Sequence, residues 1–307
     1  MYFNKDNNFY HGIMFHHFHD DIRHKKSQGS ISAKEFEKII KFVGLKNILE
    51  PKIFIDLFRK KKIQKNHVCI TFDDNLKSQY DIAIPVLKKY NLKAFFFIYS
   101  SSLTKNPDLL EIYRYFRTNF YKTISNFYKD FNSEIFKNYK KKEINTFFLK
   151  NKKEVLKWQQ NFKIYSLNDI KFRFLRDRFL SKNEYENIMF RLFKKKKLNY
   201  KKILKKLFMN KKNLILLNKF GHEIGLHSNS HPTRMEILNK KKQTMEYLKN
   251  KKKLNQIIKK KIIISMSHPC GSYNINTINI LKKMKIDIGF RSDLKRQKST
   301  KNYKLEV

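Results

Sequence analysis

Apolar residues form short, nearly continuous runs along the chain, and segments with helical periodicity lie between them. The runs are 12–15, 68–72, 93–99, 223–226, 262–266 and 287–290. Strands that are apolar on both faces are typical of parallel sheets covered by helices. Their alternation with helical segments predicts an α/β fold built from right-handed β-α-β units.

Helix signals support this pattern. The segment 33–43 follows a serine N-cap and precedes Gly44, which predicts a complete helix with a stop. A second helix begins at Pro51, and a third is predicted over 76–90, with a kink or a later start at Pro85. Two later helices are predicted over 276–284 and from Thr233, the latter with Met235, Leu238, Met245 and Leu248 as its apolar positions.

The middle of the chain, 101–212, has a different character. It is rich in Lys, Asn, Phe and Tyr, contains the one tryptophan, and has helical patterns such as 107–120 and 184–193 but no comparable strand. We interpret it as a helical insertion between the two parts of one domain, 1–100 and 213–307. Its inward-facing positions are predicted to include Ile112, Tyr113, Phe116 and Phe120.

The role of this insertion is open. The run 113–117, Tyr-Arg-Tyr-Phe-Arg, alternates aromatic and basic residues, a pattern that can stack on sugars or bases. A packed helix with exposed arginines explains the same pattern. A lid over a substrate cleft and a membrane-facing surface are further alternatives.

The chain is strongly basic, with 69 Lys and Arg against 26 Asp and Glu and a formal net charge of +43. Such a charge favours nucleic acid or an anionic membrane as a partner. However, Lys, Asn, Ile, Phe and Tyr are abundant together, and A/T-rich codons encode all of them. The lysine runs are dispersed, and no zinc-finger, homeodomain or RNA-recognition motif accompanies them. No specific nucleic-acid partner is therefore expected.

Cysteine content and hydropathy bear on location. Cys69 and Cys270 are the two cysteines, too few for a disulfide scaffold. Residues 1–8 lack the apolar core of a signal peptide, and no segment approaches 18 uninterrupted apolar residues. We expect a cytoplasmic protein, with peripheral contact to a membrane or a lipid-linked glycan as an open alternative.

Four polar residues form the candidate chemistry. Asp73 and Asp74 follow the run 68–72, and His227 and His231 follow the run 223–226. Carboxyl ends of strands are where barrels and open α/β folds place their sites, so these residues predict a metal centre. Adjacent carboxylates at a strand end point to opposite faces, which allows one to bind metal and the other to handle a proton.

Structural interpretations compete with this one. An Asp-Asp pair after a strand also forms turns and helix N-caps, and two histidines can be satisfied within a protein core. Pro232 disfavours helical geometry at His231, which predicts an irregular turn there.

The two motifs together resemble those of the polysaccharide deacetylases, the NodB-homology or carbohydrate esterase family 4 group. The run 71–75, Thr-Phe-Asp-Asp-Asn, is similar to the first motif of that family, and His227-Ser228 with His231-Pro232 is similar to the second. The resemblance implies a distorted parallel (β/α) barrel and a hydrolase that cleaves the C–N bond of an N-acetyl group on a carbohydrate. It also implies that Asp73 is the catalytic base and that Asp74, His227 and His231 bind a divalent metal, for which zinc is the first expectation.

A third similarity covers Ser267 to Asn274, against a family pattern of Arg-x-Pro-Tyr-Gly. It implies that Pro269, Cys270 and Gly271 contact the substrate, with the backbone N–H of Cys270 near the acetyl oxygen; an ordinary Pro-Gly turn is the alternative. Ser267 stands where the family often has arginine. No histidine follows His268, although family members commonly use a late histidine as general acid. His16 or His17 is therefore predicted in this role, with His268 or loss of the acid as alternatives.

Two other functions are open at this stage. A degenerate deacetylase-like protein would bind glycans without catalysis, as the serine at 267 and the missing late histidine suggest. A basic nucleic-acid-binding protein would show steeply salt-dependent binding that does not need His227 or His231. The resemblance favours a deacetylase acting in cell-surface polysaccharide biosynthesis.

Overall fold

The chain divides into two compact units in the computed structural model, which describes residues 11–161, 165–259 and 262–292. One unit contains the described residues up to Asp108 and from Lys205 onward, and the other is Leu109–Leu204. The second unit begins later and ends earlier than the predicted insertion, 101–212. Residues 1–8, for which the sequence predicts no signal-peptide core, lie outside the described residues.

The first unit is built on a six-stranded, all-parallel sheet. Its strands pair in chain order, so each new strand is added beside the previous one. The strands are β1 (His11–Phe15), β2 (Val68–Asp73), β3 (Phe95–Ile98), β4 (Glu223–Leu226), β5 (Ser265–Ser267) and β6 (Ile288–Phe290). The predicted α/β class and parallel sheet are confirmed, and β5 begins later than the apolar run 262–266.

Helices occupy the crossovers, and the described residues of the second unit form helices joined by turns, without a strand. The first unit contains α1 (Ala33–Val43), α2 (Pro51–Arg59) and α3 (Ile84–Lys89), and α4 to α9 follow as Leu110–Asn119, Ile124–Ile135, Lys141–Lys150, Lys152–Asn161, Leu167–Phe174 and Lys182–Lys195. After these come α10 (Leu204–Leu207), α11 (Lys211–Lys219), α12 (Lys240–Ile258) and α13 (Ile275–Lys283). None of the helices within the described ranges is both long and apolar enough to cross a membrane.

Side chains alternate between the two faces of the sheet, and each face has its own core. Cys69, Phe95, Phe97 and Phe290 pack together on the inner face. The intervening residues, such as Phe72 and Phe96, pack on the outer face with the helices. Because side chains point to the two faces in turn and both faces are buried, nearly every strand position is apolar.

The sheet curls into a half-barrel. Although β1 and β6 are at opposite ends of the strand order, the ring of Phe290 lies 2.8 Å from where a Cβ on Gly12 would stand. The inner face therefore closes on itself around the aromatic core. This architecture confirms the predicted distorted (β/α) barrel.

Gly225 in β4 leaves room for an inner-face ring. A Cβ at this position would stand 2.5 Å from the Phe97 ring and 2.7 Å from Ser265 Oγ.

We expect Gly225→Ala to lower the free energy of unfolding by about 1–3 kcal/mol through overpacking. Urea unfolding of Gly225→Ala, Phe97→Leu and the double variant measures this. The double variant should lose less unfolding free energy than the two single variants lose together. Strictly additive losses would contradict the steric cause.

His222 precedes β4 and is buried as a neutral ring. Its Nδ1 accepts a hydrogen bond from the backbone N–H of Ala94 at 3.1 Å, and its ring packs edge-on against Phe96. Burial, together with the charges of Lys93 and Lys88, lowers the pKa of His222 to about 4. The folded protein therefore resists protonation at this position.

This burial predicts a dependence of stability on pH. The unfolded chain binds a proton at His222 below its ordinary pKa of 6.5, whereas the folded protein does so only near 4. The stabilisation is thus complete above 6.5 and is lost as pH falls toward 4. From about pH 8 to about pH 5, wild type should lose about 2 kcal/mol more unfolding free energy than His222→Asn, whose amide oxygen can still accept the Ala94 N–H. Equal losses in urea unfolding would contradict this.

The segment after His231 differs from its prediction. Met235 lies in a single 3-10 turn, and α12 begins only at Lys240, after an N-cap at Asn239. Met245 and Leu248 are 44% and 47% exposed, so their predicted place on the apolar stripe is wrong. The buried apolar positions of α12 are instead Tyr247, Leu254, Ile257 and Ile258.

The second unit has an aromatic core of its own. Ile112, Tyr113 and Phe116 are buried, as predicted, whereas Phe120 is partly exposed. The Arg117 side chain is only 10% exposed: its guanidinium lies 4.8 Å from the centroid of the Phe172 ring and 3.7 Å from Asp169. Within the run 113–117, Arg117 therefore packs into the core of the second unit. The prediction of an exposed arginine at this position is wrong.

Candidate active site and metal centre

The alternation of side chains brings four polar residues to the inner face at the carboxyl end of the sheet. Asp73 ends β2, and because Phe15 pairs with Phe72, His16 lies beside it. His227 follows β4, whose Leu226 pairs with Met266, so His227 lies beside Ser267 at the end of β5. Residues far apart in sequence therefore converge because their strands end together.

A left-handed turn directs Asp74 toward the histidines. Asp74 has a φ of 77° and Asn75 a φ of 58°, a conformation that asparagine adopts more readily than most residues. The Asn75 amide donates hydrogen bonds to Ser102 Oγ and to the carbonyl of Met209, and the Met209 N–H donates to the Asn75 carbonyl. Three loops are thus tied together directly behind Asp74.

His227 and His231 lie on an irregular turn, the geometry predicted from Pro232. Ser228 and His231 have φ values of 63° and 51°. The carboxylate of Glu246, from α12, accepts hydrogen bonds from the backbone N–H groups of Asn229 and Ser230 and from the Ser230 hydroxyl. This carboxylate holds the turn that carries both histidines.

Asp74, His227 and His231 bring three electron-pair donors together. Asp74 Oδ1 lies 3.1 Å from His231 Nε2 and 3.4 Å from His227 Nε2, and one donor atom from each residue lies within 4.8 Å of the others. With metal–ligand bonds of 2.0–2.1 Å, neighbouring ligands of a tetrahedral ion are separated by about 3.3 Å. All three side chains are buried.

The protonation pattern of this cluster also fits a cation. His227 Nδ1 is 2.9 Å from the Ser267 carbonyl oxygen, which can only accept a hydrogen bond, so Nδ1 carries the hydrogen. Nε2 therefore carries the lone pair that can bind a metal. Asp74 Oδ1 is buried and accepts no hydrogen bond from any described residue. Burial alone would raise the pKa of Asp74, but the charge of His231 and contacts with both histidines hold it well below its ordinary value. The residues present therefore fit a divalent metal.

Asp73 and His16 lie next to this cluster. Asp73 Oδ2 accepts a hydrogen bond of 3.0 Å from Ser267 Oγ and lies 3.9 Å from His227 Nε2. His16 Nε2 is 3.9 Å from Asp73 Oδ2 and 3.8 Å from Asp74 Oδ2, and its side chain is 33% exposed. The ring of His17 lies parallel to that of His16, at 6.2 Å. A buried carboxylate and a solvent-accessible imidazole thus flank the donor cluster.

Comparison with known proteins agrees with this geometry. The family model of polysaccharide deacetylases matches residues 60–116 and 178–289, more than half of the chain. The chain belongs to the polysaccharide deacetylase family. YxkH of Bacillus subtilis strain 168, named as a polysaccharide deacetylase, is 34% identical over 94 residues, which are 29% of this chain and 34% of YxkH. The chain thus spans about a third of this relative's length.

Solved structures share the deacetylase fold. A de-N-acetylase from Aggregatibacter actinomycetemcomitans superposes with a TM-score of 0.52 at 16% identity, over 92% of this chain and 87% of that one. IcaB from Ammonifex degensii gives 0.52 at 12% identity, over 92% and 82%. The Streptococcus pyogenes deacetylase PplD, solved with acetate, gives 0.51 at 14% identity, over 92% and 84%.

The third deacetylase-like motif forms a turn after β5. Pro269 to Gly271 make one 3-10 turn, in which Cys270 has a φ of 52° and is exposed. His268 is buried and stacks on Tyr273, with ring centroids 4.2 Å apart. Burial, then the neighbouring charges of His227 and Arg291, lower the pKa of His268 to about 3, which keeps this ring neutral. Substrate contact by Pro269, Cys270 and Gly271 stays a prediction.

Sequence reasoning missed two buried amides that support this deacetylase site. Gln79 Nε2 donates to the carbonyls of both His16 and Asp73, which joins the ends of β1 and β2. Asn250, from α12, accepts from the His227 N–H and donates to the Ile98 carbonyl. Both side chains are fully buried. The available signal was a polar residue placed among apolar positions of a helical segment.

Proposed function

We propose that this protein is a metal-dependent hydrolase that removes an N-acetyl group, or a related acyl group, from a sugar. The observation that carries the proposal is the buried Asp73 carboxylate beside the Asp74, His227 and His231 donors, at the carboxyl end of the sheet. A paired base and metal site suits the attack of water on an amide. Two structurally similar proteins are described as a deacetylase and a de-N-acetylase, which is consistent with this chemistry.

Asp74, His227 and His231 would hold the divalent ion, and the mixed nitrogen and oxygen donor set makes zinc the first expectation. When bound, such an ion lowers the pKa of water and polarises a carbonyl oxygen. The chain contributes rigidity, since the Ser267 carbonyl orients His227 and Glu246 holds the turn between the histidines. These supports keep the donor atoms converged without large rearrangement.

Asp73 would act as the general base. Its carboxylate would accept the proton of the attacking water, because it lies beside the donor cluster without belonging to it. The backbone N–H of Cys270 would donate to the acetyl oxygen as negative charge develops there. This N–H depends on the position of the turn rather than on the cysteine side chain.

His16 would act as the general acid for the departing amine. Its imidazole is close to both carboxylates and partly exposed, so it can carry a proton and meet a substrate that enters from solvent. His17, stacked parallel to it, is the second candidate. Donation of the proton to nitrogen would release the free amine and acetate.

The biological role, the location and the partners of this protein remain predictions. A role in cell-surface polysaccharide biosynthesis, a cytoplasmic location and contact with a membrane or lipid-linked glycan rest on the sequence alone. The net charge of +43 would favour an anionic glycan or an anionic surface near the substrate.

The proposal is tested by acetate release from oligomers of N-acetylglucosamine. We expect release after reconstitution with zinc, its loss in a chelator, and its return when metal is restored. Metal binding without release from any acetylated sugar would favour a glycan-binding protein. Tight, steeply salt-dependent RNA or DNA binding that survives His231→Ala, with no acetate release, would favour the nucleic-acid alternative.

A further inference from the structure

Ser267 contacts both halves of the site through different atoms. Its hydroxyl donates a 3.0 Å hydrogen bond to Asp73 Oδ2, and its backbone carbonyl accepts one of 2.9 Å from His227 Nδ1. The side chain is only 3% exposed, at the carboxyl end of β5 on the inner face. One residue thus links the carboxylate to the donor cluster.

The serine hydroxyl is the one hydrogen-bond donor to the Asp73 carboxylate among the described residues. Asp73 Oδ1 is buried without a hydrogen-bond partner there, and His16 Nε2 and His227 Nε2 lie 3.9 Å from Oδ2, beyond hydrogen-bond distance. Without Ser267, no hydrogen bond from the described protein would fix the rotation of this carboxylate. Its orientation therefore depends on a single neutral donor.

We propose that Ser267 is a positioning residue that anchors Oδ2 of Asp73 and leaves Oδ1 uncommitted to accept a proton. The proposal rests on the proposed function, in which Asp73 is the base. A base must be held within a narrow range of orientations, since a displacement of about 1 Å can cost about 100-fold in rate. A hydroxyl restrains one oxygen and does not occupy the other.

The two contacts of Ser267 make separable predictions. Ser267→Ala removes the hydroxyl but keeps the backbone carbonyl on His227, so the metal content should not change. Because the side chain is buried, it has no surface for the substrate, and the loss should fall on kcat rather than on KM. A serine with a purely structural role would not lower kcat while leaving KM and the metal content unchanged.

The experiment compares Ser267→Ala, Ser267→Thr and Ser265→Ala. Ser265 is a matched control, a buried serine two residues earlier on the same face of β5 that bonds Glu223 instead. We expect kcat of Ser267→Ala to fall about 10- to 100-fold with KM within about twofold, Ser267→Thr to recover most of the rate, and Ser265→Ala to match wild type.

Crystal structures of wild type and Ser267→Ala supply a readout that does not need activity. We expect the Asp73 carboxylate to rotate away from its wild-type position in Ser267→Ala. An unmoved carboxylate overturns the positioning role, as does an unchanged kcat or an equal loss of rate in Ser265→Ala. If wild type releases no acetate, the proposed function fails, and the carboxylate positions still decide whether Ser267 anchors Asp73.

Discussion

Asp73→Asn should slow acetate release by about 100- to 10,000-fold, the range that a general base contributes. Asparagine has nearly the same shape and can still accept the Ser267 hydroxyl, but its amide cannot take a proton from water. Metal content should stay at the wild-type level, because Asp73 is outside the group formed by Asp74, His227 and His231. The loss should therefore appear in kcat at full metal occupancy.

The measurement is steady-state acetate release with metal content determined on the same sample. Asp56→Asn is the control, since it removes an exposed carboxylate of α2 that pairs with Lys60. This variant should match wild type, because exposed ion pairs contribute little. A metal-replete Asp73→Asn protein with the wild-type rate would exclude Asp73 as the base.

Asp74→Ala and His231→Ala should each lower metal affinity by more than about 100-fold, because loss of even an outer partner of a metal ligand costs about 10- to 100-fold. Each variant removes one of three buried donors that face the same point. Added zinc should raise the melting temperature of wild type and leave that of both variants almost unchanged, since binding to the folded state stabilises it.

His222→Asn is the matched control for the metal experiment. It replaces another buried histidine of the same unit, one whose ring bonds a backbone N–H instead of facing the donor cluster. This variant should keep its metal in plasma mass spectrometry. Stoichiometric metal in Asp74→Ala or His231→Ala would show that the ion binds elsewhere.

The sequence predicted the parts of the fold that follow from local pattern. Apolar runs located all six strands of the described residues, and a sheet with both faces covered explains why those runs lack polar alternation. Because parallel strands end together, residues that follow β2 and β4 could be expected to meet, and Asp74 does lie beside His227 and His231. Periodicity and strand direction were sufficient for these conclusions.

Tertiary contacts of polar side chains could not be read in the same way. The hydrogen bond from Ser267 to Asp73 joins residues that are 194 positions apart in the sequence, and the one from Asn75 to Met209 joins residues 134 positions apart. No periodic signal relates such pairs, because their proximity depends on the curl of the sheet and on the order of its strands. Arg117 was misplaced for a similar reason, since its burial depends on Asp169 and the aromatic rings around it.

The most direct test of the central claim is the stoichiometry of products formed by zinc-reconstituted wild type from an N-acetylglucosamine oligomer. Acetate and free amine should appear in equal amounts, and the release of both should be about 100- to 10,000-fold slower in Asp73→Asn while its metal is retained. Equal release by wild type and Asp73→Asn, or no acetate from the metal-loaded wild type, would contradict the assignment of this site as a deacetylase centre.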